Sequence, residues 1–284
     1  MVPVVLPMQQ PVDQPSANPG YSHACYWDNR YSSKPTTFDW FFTYGAIGGV
    51  LCSCLPKDLP CLHVGCGNST LQDGMSKDGF LSVTNVDISP VVIDQLRLHP
   101  THGNAYDVVD CRDMQDKYSD GSFGGVLDKG TLDAVLCCKG GHADVVKYCK
   151  EVSRILAPRG IFLLISLGTP KARAKFLDAG MASWSIEVLL LPKPSGFYQT
   201  EAMITGRQPS RDPESRAGVD RKDAPVRMHG PFSMAEASGL IGEDPDVTAK
   251  FDPNDYFFAY VCRKQGSAKE KQPEQQQACQ PEQA

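Results

Sequence analysis

Residues 59–70, LPCLHVGCGNST, join a short apolar run to a turn with two glycines. The run Leu59–Val64 is typical of a buried β-strand, and Asn68-Ser69-Thr70 supplies side chains that cap helices. Gly65 and Gly67 allow a tight turn and a close approach of the backbone to a ligand. We interpret this stretch as the strand, turn and helix that open an α/β sheet, although glycines also occur in ordinary turns.

Apolar runs and helical patterns alternate along the rest of the chain. This alternation predicts an α/β fold with a seven-stranded, mostly parallel sheet, because strands covered by helices on both faces are apolar throughout. The predicted strands are Leu59–Val64, Leu81–Asp87, Ala105–Val109, Gly124–Leu127, Ile161–Ser166, Ile186–Leu191 and Phe257–Cys262.

Two helices are well marked. The first begins at Ser89-Pro90, an N-cap residue followed by a proline at the first helical position, and it stops at Pro100. The second, Ala143–Leu156, carries apolar residues at three- and four-residue steps and leads directly into the fifth strand.

The composition also predicts the domain organisation. We expect residues 1–20, rich in Pro and Gln, and the Gln-rich tail 265–284 to be disordered around one folded domain, 21–264. Within that domain, 192–250 is predicted to be a long, flexible insertion. Its charged part, 205–230, fits either disorder or a substrate-facing lid.

Charge and cysteine content exclude several classes of protein. The net charge of −5 gives no electrostatic case for nucleic-acid binding, and we find no apolar run long enough to span a membrane. The N-terminus has no basic region typical of a signal peptide, so we expect a cytoplasmic protein. The 11 cysteines form no CxxC motif, and we expect reduced thiols and no metal site.

A carboxylate follows the second strand, about 20 residues beyond the glycine turn. Asp87 can accept two hydrogen bonds from a ribose diol; the alternative is that it caps the next helix, a role for which Ser89 is better suited. A ribose site fits both NAD and S-adenosylmethionine. Thr70 occupies the third position of the dinucleotide pattern G-x-G-x-x-G/A, which weakens the case for a pyrophosphate.

Two further strand ends carry polar residues. Asp110-Cys111, after the third strand, is a candidate for contact with an adenine edge, and we prefer Asp110 to the nearby Asp113 because it lies at the strand end. Asp128-Lys129 ends the fourth strand, where ligands bind in such sheets. A charge pair at this point is also compatible with a solvated loop.

Aromatic residues alternate with charges before the sheet begins, in YWDNRY at 26–31 and FDWFF at 38–42. One interpretation is a helix that covers the sheet edge. The other is an aromatic lid over a cofactor, since a sulfonium is a cation and aromatic faces attract cations.

In this order, YWDNRY, FDWF, HVGCGNSTL, NVDIS, VLDKGTLDAVL and EVSRILAPRGIFLLIS resemble the class I methyltransferases. The similarity covers Tyr26 to Leu191. It is greatest to the group of elongation-factor-1-alpha and citrate synthase lysine methyltransferases, and VLDKGTLDA is its most specific part.

The resemblance implies a class I, Rossmann-like fold with an N-terminal aromatic helical segment and S-adenosylmethionine as cofactor. The positions implied in cofactor binding are Trp27, Tyr31, Trp40, Gly65, Cys66, Gly67, Asp87, Ile88, Asp110, Cys111 and Lys129. Asp128 stands where the family often has Glu and is the candidate general base. The segment 192–250 has no clear counterpart, so the substrate does not follow from the resemblance.

Three functions remain open from the sequence. The first is a monomeric protein-lysine methyltransferase that acts on a protein such as a translation factor or a metabolic enzyme. The second is a methyltransferase for a small molecule or another target, and the third is a non-catalytic nucleoside-binding scaffold. A dehydrogenase is disfavoured because Thr70 interrupts its glycine fingerprint.

Overall fold

A computed structural model describes residues 20–180, 184–194, 223–244 and 248–266 of the chain. These residues form one eight-stranded sheet with helices on both faces. The strands are β1 Cys61–Val64, β2 Val83–Asp87, β3 Asn104–Val108, β4 Phe123–Lys129, β5 Leu156–Ser166, β6 Trp184–Pro192, β7 His229–Ser233 and β8 Tyr256–Lys264. The α-helices are α1 Ala24–Ser33, α2 Tyr44–Cys54, α3 Leu71–Lys77, α4 Pro90–Leu98, α5 Thr131–Leu136, α6 Gly141–Ile155, α7 Pro170–Gly180 and α8 Met234–Leu240, and a 3₁₀ turn covers Pro253–Asp255.

The strand order is β3-β2-β1-β4-β5-β8-β6-β7. The pairs from β3 to β5 are parallel, whereas β8 runs antiparallel to both β5 and β6, and β7 runs antiparallel to β6. The order reverses between β1 and β4. In open α/β sheets, ligands bind outside the carboxyl ends of the strands at this kind of switch point.

Two hydrophobic cores cover the sheet. One is formed with α5, α6, α7 and α8, and its α6 stripe of Val145, Tyr148, Cys149, Val152 and Ile155 is fully buried. The other is formed with α2 and α3, where Phe42, Ile47 and Leu51 are buried against the strands. A smaller cluster packs α1 on α4.

All seven predicted strands are present, and the α/β, mostly parallel fold class is confirmed. The number of strands is corrected from seven to eight. The additional edge strand, β7, has the sequence HGPFS, which lacks the apolar run that marks a strand and contains a proline. The second predicted helix begins at Gly141, two residues earlier than expected, where Gly140 adopts a φ of 83°.

The segment 192–250 contains regular structure in its described part. After β7, Ser233 begins α8 with a capping box, in which its side chain accepts from the Glu236 amide and Glu236 accepts in return. Most of the charged part, residues 205–222, lies outside the described residues. So do residues 1–19 and 267–284, which hold nearly all of the two predicted disordered termini.

Across the described ranges, no helix combines the length and apolar character that a membrane span needs. The ten cysteines in those ranges are free thiols.

Candidate active site

A cavity of about 580 Å³ opens where β1 to β6 end. Its walls follow the strands in turn: the glycine turn after β1, the end of β2, residues 109–112 after β3, Lys129 at the end of β4, and then residues 130, 131 and 133–135. Leu167 and Pro194 extend the wall past β5 and β6. All the predicted cofactor residues line this cavity: Trp27, Tyr31, Trp40, Gly65, Cys66, Gly67, Asp87, Ile88, Asp110, Cys111 and Lys129.

The glycine turn is shaped by two left-handed residues. Gly65 has a φ of 59°, and a Cβ on it would collide with Thr131, whose hydroxyl donates to the Val64 carbonyl at 2.9 Å. Gly67 has a φ of 52°, and a Cβ there would lie 2.8 Å from the Tyr31 hydroxyl. Only glycine fits both the backbone and the space at these positions.

Asp87 lies at the end of β2 and faces the turn. Its Oδ2 accepts from the Gly67 amide at 2.9 Å, and its Oδ1 accepts from the Ser89 amide at 2.9 Å. Burial raises the pKa of Asp87 to about 6, although these amide donors favour the ionised form. Each carboxylate oxygen has two lone pairs, so acceptor capacity remains for a ligand. Ser89, as expected, caps α4 through the Val92 amide.

The aromatic segment, residues 26–31 and 38–42, contributes both a packing helix and part of the cavity wall. Asp28 on α1 accepts from the Ser89 hydroxyl at 2.6 Å, which ties α1 to the start of α4. Trp27 and Tyr31 stack with ring centroids 5.9 Å apart on the cavity side. The two interpretations of the sequence are therefore compatible with each other.

Asp110 lines the cavity, whereas Asp113 does not. Both oxygens of Asp110 are engaged by Arg112, with Nη2 2.7 Å from Oδ2 and Nε 2.9 Å from Oδ1. Burial acts to raise the pKa of Asp110, but the Arg112 hydrogen bonds outweigh it and hold the pKa below its usual value. Arg112 also donates to Asp144 at 3.0 Å.

Lys129 is buried at the end of β4. Its Nζ lies 3.3 Å from Asp39 Oδ1 and donates to the Trp40 carbonyl at 2.8 Å, and Asp39 also accepts from the Ser69 hydroxyl. Burial lowers the pKa of Lys129, and the charge of Asp39 opposes that effect. Lys129 thus connects β4 to the aromatic segment and, through Asp39, to the glycine turn.

Asp128, the candidate general base, does not line the cavity. Its fully buried carboxylate accepts from the amides of Thr131 and Leu132, at 2.8 and 2.9 Å, and from the Tyr148 hydroxyl at 2.8 Å. Successive residues of a strand point to opposite faces, so Asp128 faces α6 when Lys129 faces the cavity. Asp128 anchors the start of α5, and we do not retain it as a base.

The cavity wall at the start of α5 contains a charged group that the sequence did not single out. Asp133 of α5 forms a buried ion pair with Arg173 of α7 and accepts from the Ser166 hydroxyl at 2.9 Å. Burial raises the pKa of Asp133, and the Arg173 charge opposes the rise. Both partners lie more than 30 residues away in the chain, so no local pattern marks this pair.

Phe41 belongs to the stretch FDWFF that the sequence marked, but its individual role was not predicted. It lines the cavity with a φ of 65°, an uncommon conformation for a bulky side chain. Its ring lies 4.4 Å from that of Phe257 and covers Gly130, whose absent Cβ leaves the space. This packing fixes the backbone that presents Asp39 and Trp40.

Comparison with known proteins finds that the segment forming this cavity is similar to methyltransferases. The family of methyltransferase domains matches residues 62–164, which span the glycine turn, Asp87, Asp110 and Lys129. EEF1A lysine methyltransferase 4 of Mus musculus is 32% identical over 189 residues, covering 62% of this chain and 73% of that protein. The chain belongs to this methyltransferase family.

Two further relatives have the same level of sequence identity. Citrate synthase-lysine N-methyltransferase of Pongo abelii, named as mitochondrial, is 32% identical over 208 residues, covering 64% of this chain and 85% of that protein. The eEF1A lysine and N-terminal methyltransferase of Homo sapiens is 32% identical over 177 residues, covering 61% of this chain and 25% of that protein. The methyltransferase is an S-adenosylmethionine-dependent enzyme, as the sequence motifs predicted.

Proposed function

We propose that this methyltransferase methylates a lysine side chain of a protein substrate. The observation that carries the proposal is the similarity to relatives named as lysine methyltransferases, which extends over 73% and 85% of their length. The cavity supports it because one region suits a nucleoside, and the wall past β5 is formed by Leu167, which is 42% exposed and within reach of a protein substrate.

The cofactor region comprises the ends of β1 to β3. Asp87 would accept hydrogen bonds from the ribose diol, and the backbone of Gly65 to Gly67 allows close approach of the ligand. The backbone and side chain at Asp110-Cys111 would meet the adenine edge. Trp27, Tyr31 and Trp40 line the cavity with aromatic side chains, which would attract the positively charged sulfonium.

S-adenosylmethionine, when bound, supplies a methyl group that is already activated by a sulfonium. The enzyme's task is therefore to bind, orient and desolvate the two reactants. In the transfer, the lysine ε-nitrogen forms a bond to the methyl carbon while the carbon–sulfur bond breaks and sulfur keeps the electron pair. The attacking amine must be neutral, and removing the proton from a lysine ammonium costs roughly 4–5 kcal/mol at neutral pH.

Every carboxylate among the described cavity residues already has a partner. Asp39 is paired with Lys129, Asp110 with Arg112 and Asp133 with Arg173, and Asp87 accepts two amides. We therefore propose that the substrate lysine loses its proton to water before or during entry. Desolvation in the aromatic channel lowers the pKa of the incoming ammonium and reduces this cost.

The test is transfer of a radiolabelled methyl group from S-adenosylmethionine into a cell lysate. We expect label in the protein fraction with the wild type and none with Asp87→Asn, which retains the shape of the side chain. Label confined to the small-molecule fraction would overturn the protein substrate. We further propose that the enzyme acts as a monomer in the cytoplasm, to be checked by sedimentation and cell fractionation.

A further inference from the structure

Three cationic side chains line the cavity in the described part of the chain: Arg30, Arg112 and Lys129. Two of them are neutralised within the protein. Arg112 forms ion pairs with Asp110 at 2.7 Å and Asp144 at 3.0 Å, and Lys129 lies 3.3 Å from Asp39. Their charges are therefore balanced without a ligand.

Arg30 differs from the other two. Its guanidinium lies over the Phe38 ring at 4.9 Å and over the Trp40 ring at 6.0 Å, and within the described ranges no carboxylate forms an ion pair with it. The stacking on two rings holds the side chain in place while its donor edge stays available. A guanidinium carries five N–H donors in a planar fork that matches a carboxylate.

We propose that Arg30 binds the carboxylate of the methionine part of S-adenosylmethionine. The inference rests on the cofactor region assigned under the proposed function. The cofactor carries one carboxylate; its sulfonium and amino group are cations that a guanidinium would repel, and its adenine and ribose are neutral. Only the carboxylate gives Arg30 a favourable charge interaction.

The position of Arg30 agrees with this assignment. The next residue, Tyr31, places its hydroxyl beside Gly67, so this turn of α1 lies over the glycine turn. Arg30 itself contacts Trp40, whose carbonyl accepts from Lys129 at the end of β4. With ribose at Asp87 and adenine at Asp110, the methionine part points away from β3 and toward this side of the cavity.

A carboxylate of the protein substrate could also be the anion that Arg30 meets, and the experiment separates the two sources. Calorimetry measures the affinity of the full chain and of Arg30→Met for S-adenosylmethionine and for decarboxylated S-adenosylmethionine. Methionine retains an apolar stem against Phe38 and Trp40 but has no donor. Lys34→Met is the matched control, because it removes an exposed positive charge near the end of α1, outside the cavity.

We expect Arg30→Met to bind S-adenosylmethionine at least about tenfold more weakly, the usual effect of losing a hydrogen bond to a charged group. Its affinity for the decarboxylated compound should not fall, because that compound has no carboxylate for Arg30 to bind, and Lys34→Met should match the wild type with both ligands. The wild type should prefer the carboxylated ligand by the factor that Arg30→Met loses.

Equal losses with both ligands would overturn the proposal, since they would reflect packing of the aromatic segment. Unchanged cofactor affinity together with a raised KM for the protein substrate would assign Arg30 to the acceptor and also overturn it. If Arg30→Met does not fold, the wild type alone still provides a test. Equal affinity of the wild type for the two ligands would then overturn the proposal. A wild type that binds neither ligand would overturn the proposed function itself, whereas the other outcomes leave that function intact.

Discussion

At the ends of β1 and β2, the cavity wall consists of residues close together in the chain, whereas at the ends of β4 and β5 it depends on distant elements. Gly65, Gly67 and Asp87 lie within 23 residues of one another, and the Gly67 amide donates directly to Asp87. The wall at Asp133 instead depends on Arg173 from α7. The wall proposed to bind the cofactor is thus fixed by local backbone geometry, and the wall at the ends of β4 and β5 by tertiary packing.

The largest expected effect is on stability, at the ends of β4 and β5. Arg173→Met leaves Asp133 as a buried carboxylate without its cation, which should reduce the free energy of unfolding by about 3–5 kcal/mol. Chemical denaturation measures the loss. Asp133→Asn in the same chain should restore part of it, because the uncompensated charge is then gone. If Arg173→Met is as stable as the wild type, the wall at Asp133 does not depend on Arg173, and the contrast between the two regions is wrong.

The next effect is on cofactor affinity, in the other region. Asp87→Asn replaces a double acceptor by an amide whose NH₂ faces a backbone N–H, so affinity for S-adenosylmethionine should fall about 100-fold, or about 3 kcal/mol. Asp110→Asn is the matched control and should cost less, since Arg112 already engages that carboxylate. Calorimetry that finds equal losses in the two variants would contradict the ribose assignment.

A smaller effect is expected at the glycine turn. Gly65→Ala places a Cβ against Thr131 in a left-handed conformation, which alone costs about 1–2 kcal/mol. Thermal denaturation should show that loss plus a contribution from the collision. Thr131→Ala removes the colliding hydroxyl and methyl groups but also the hydrogen bond to Val64, so the double variant should lose less stability than the sum of the two single losses. Strictly additive losses would contradict this account.

The smallest effect is the pH dependence of cofactor binding. The pKa of Asp87 in the free protein is raised to about 6, so its ionised, fully accepting form predominates above that pH and is lost below it. Affinity for S-adenosylmethionine should be nearly constant above pH 7 and about tenfold lower at pH 5. Calorimetry across this range should give a flat profile for Asp87→Asn. A wild type whose affinity does not change between pH 5 and pH 7 would contradict the prediction.

The contrast between the regions also explains what the sequence could predict. The β1 turn, Asp87 and the α6 stripe follow from local patterns, and the structure places them as expected. Asp128 is a candidate base by its position alone, but alternation along β4 sends Asp128 and Lys129 to opposite faces, and of the two only Lys129 lines the cavity. That alternation was available in the sequence and would have separated them.

Other features depend on contacts that no local pattern encodes. The strand β7 forms by pairing with β6, from which it is separated by residues 193–228, and its own residues lack a strand pattern. The Asp133–Arg173 pair and the contact of Phe41 with Phe257 join residues that are far apart in the chain. Such features become visible only once the sheet order is known.

The most direct test of the central proposal is to identify the residue that receives the methyl group. Purified enzyme, radiolabelled S-adenosylmethionine and a cell lysate would be incubated, and the labelled protein hydrolysed to amino acids and separated against methylated standards. Our account predicts that the label co-migrates with methylated lysine, and that Asp87→Asn abolishes it. Label in another methylated amino acid, or in no protein at all, would contradict the account.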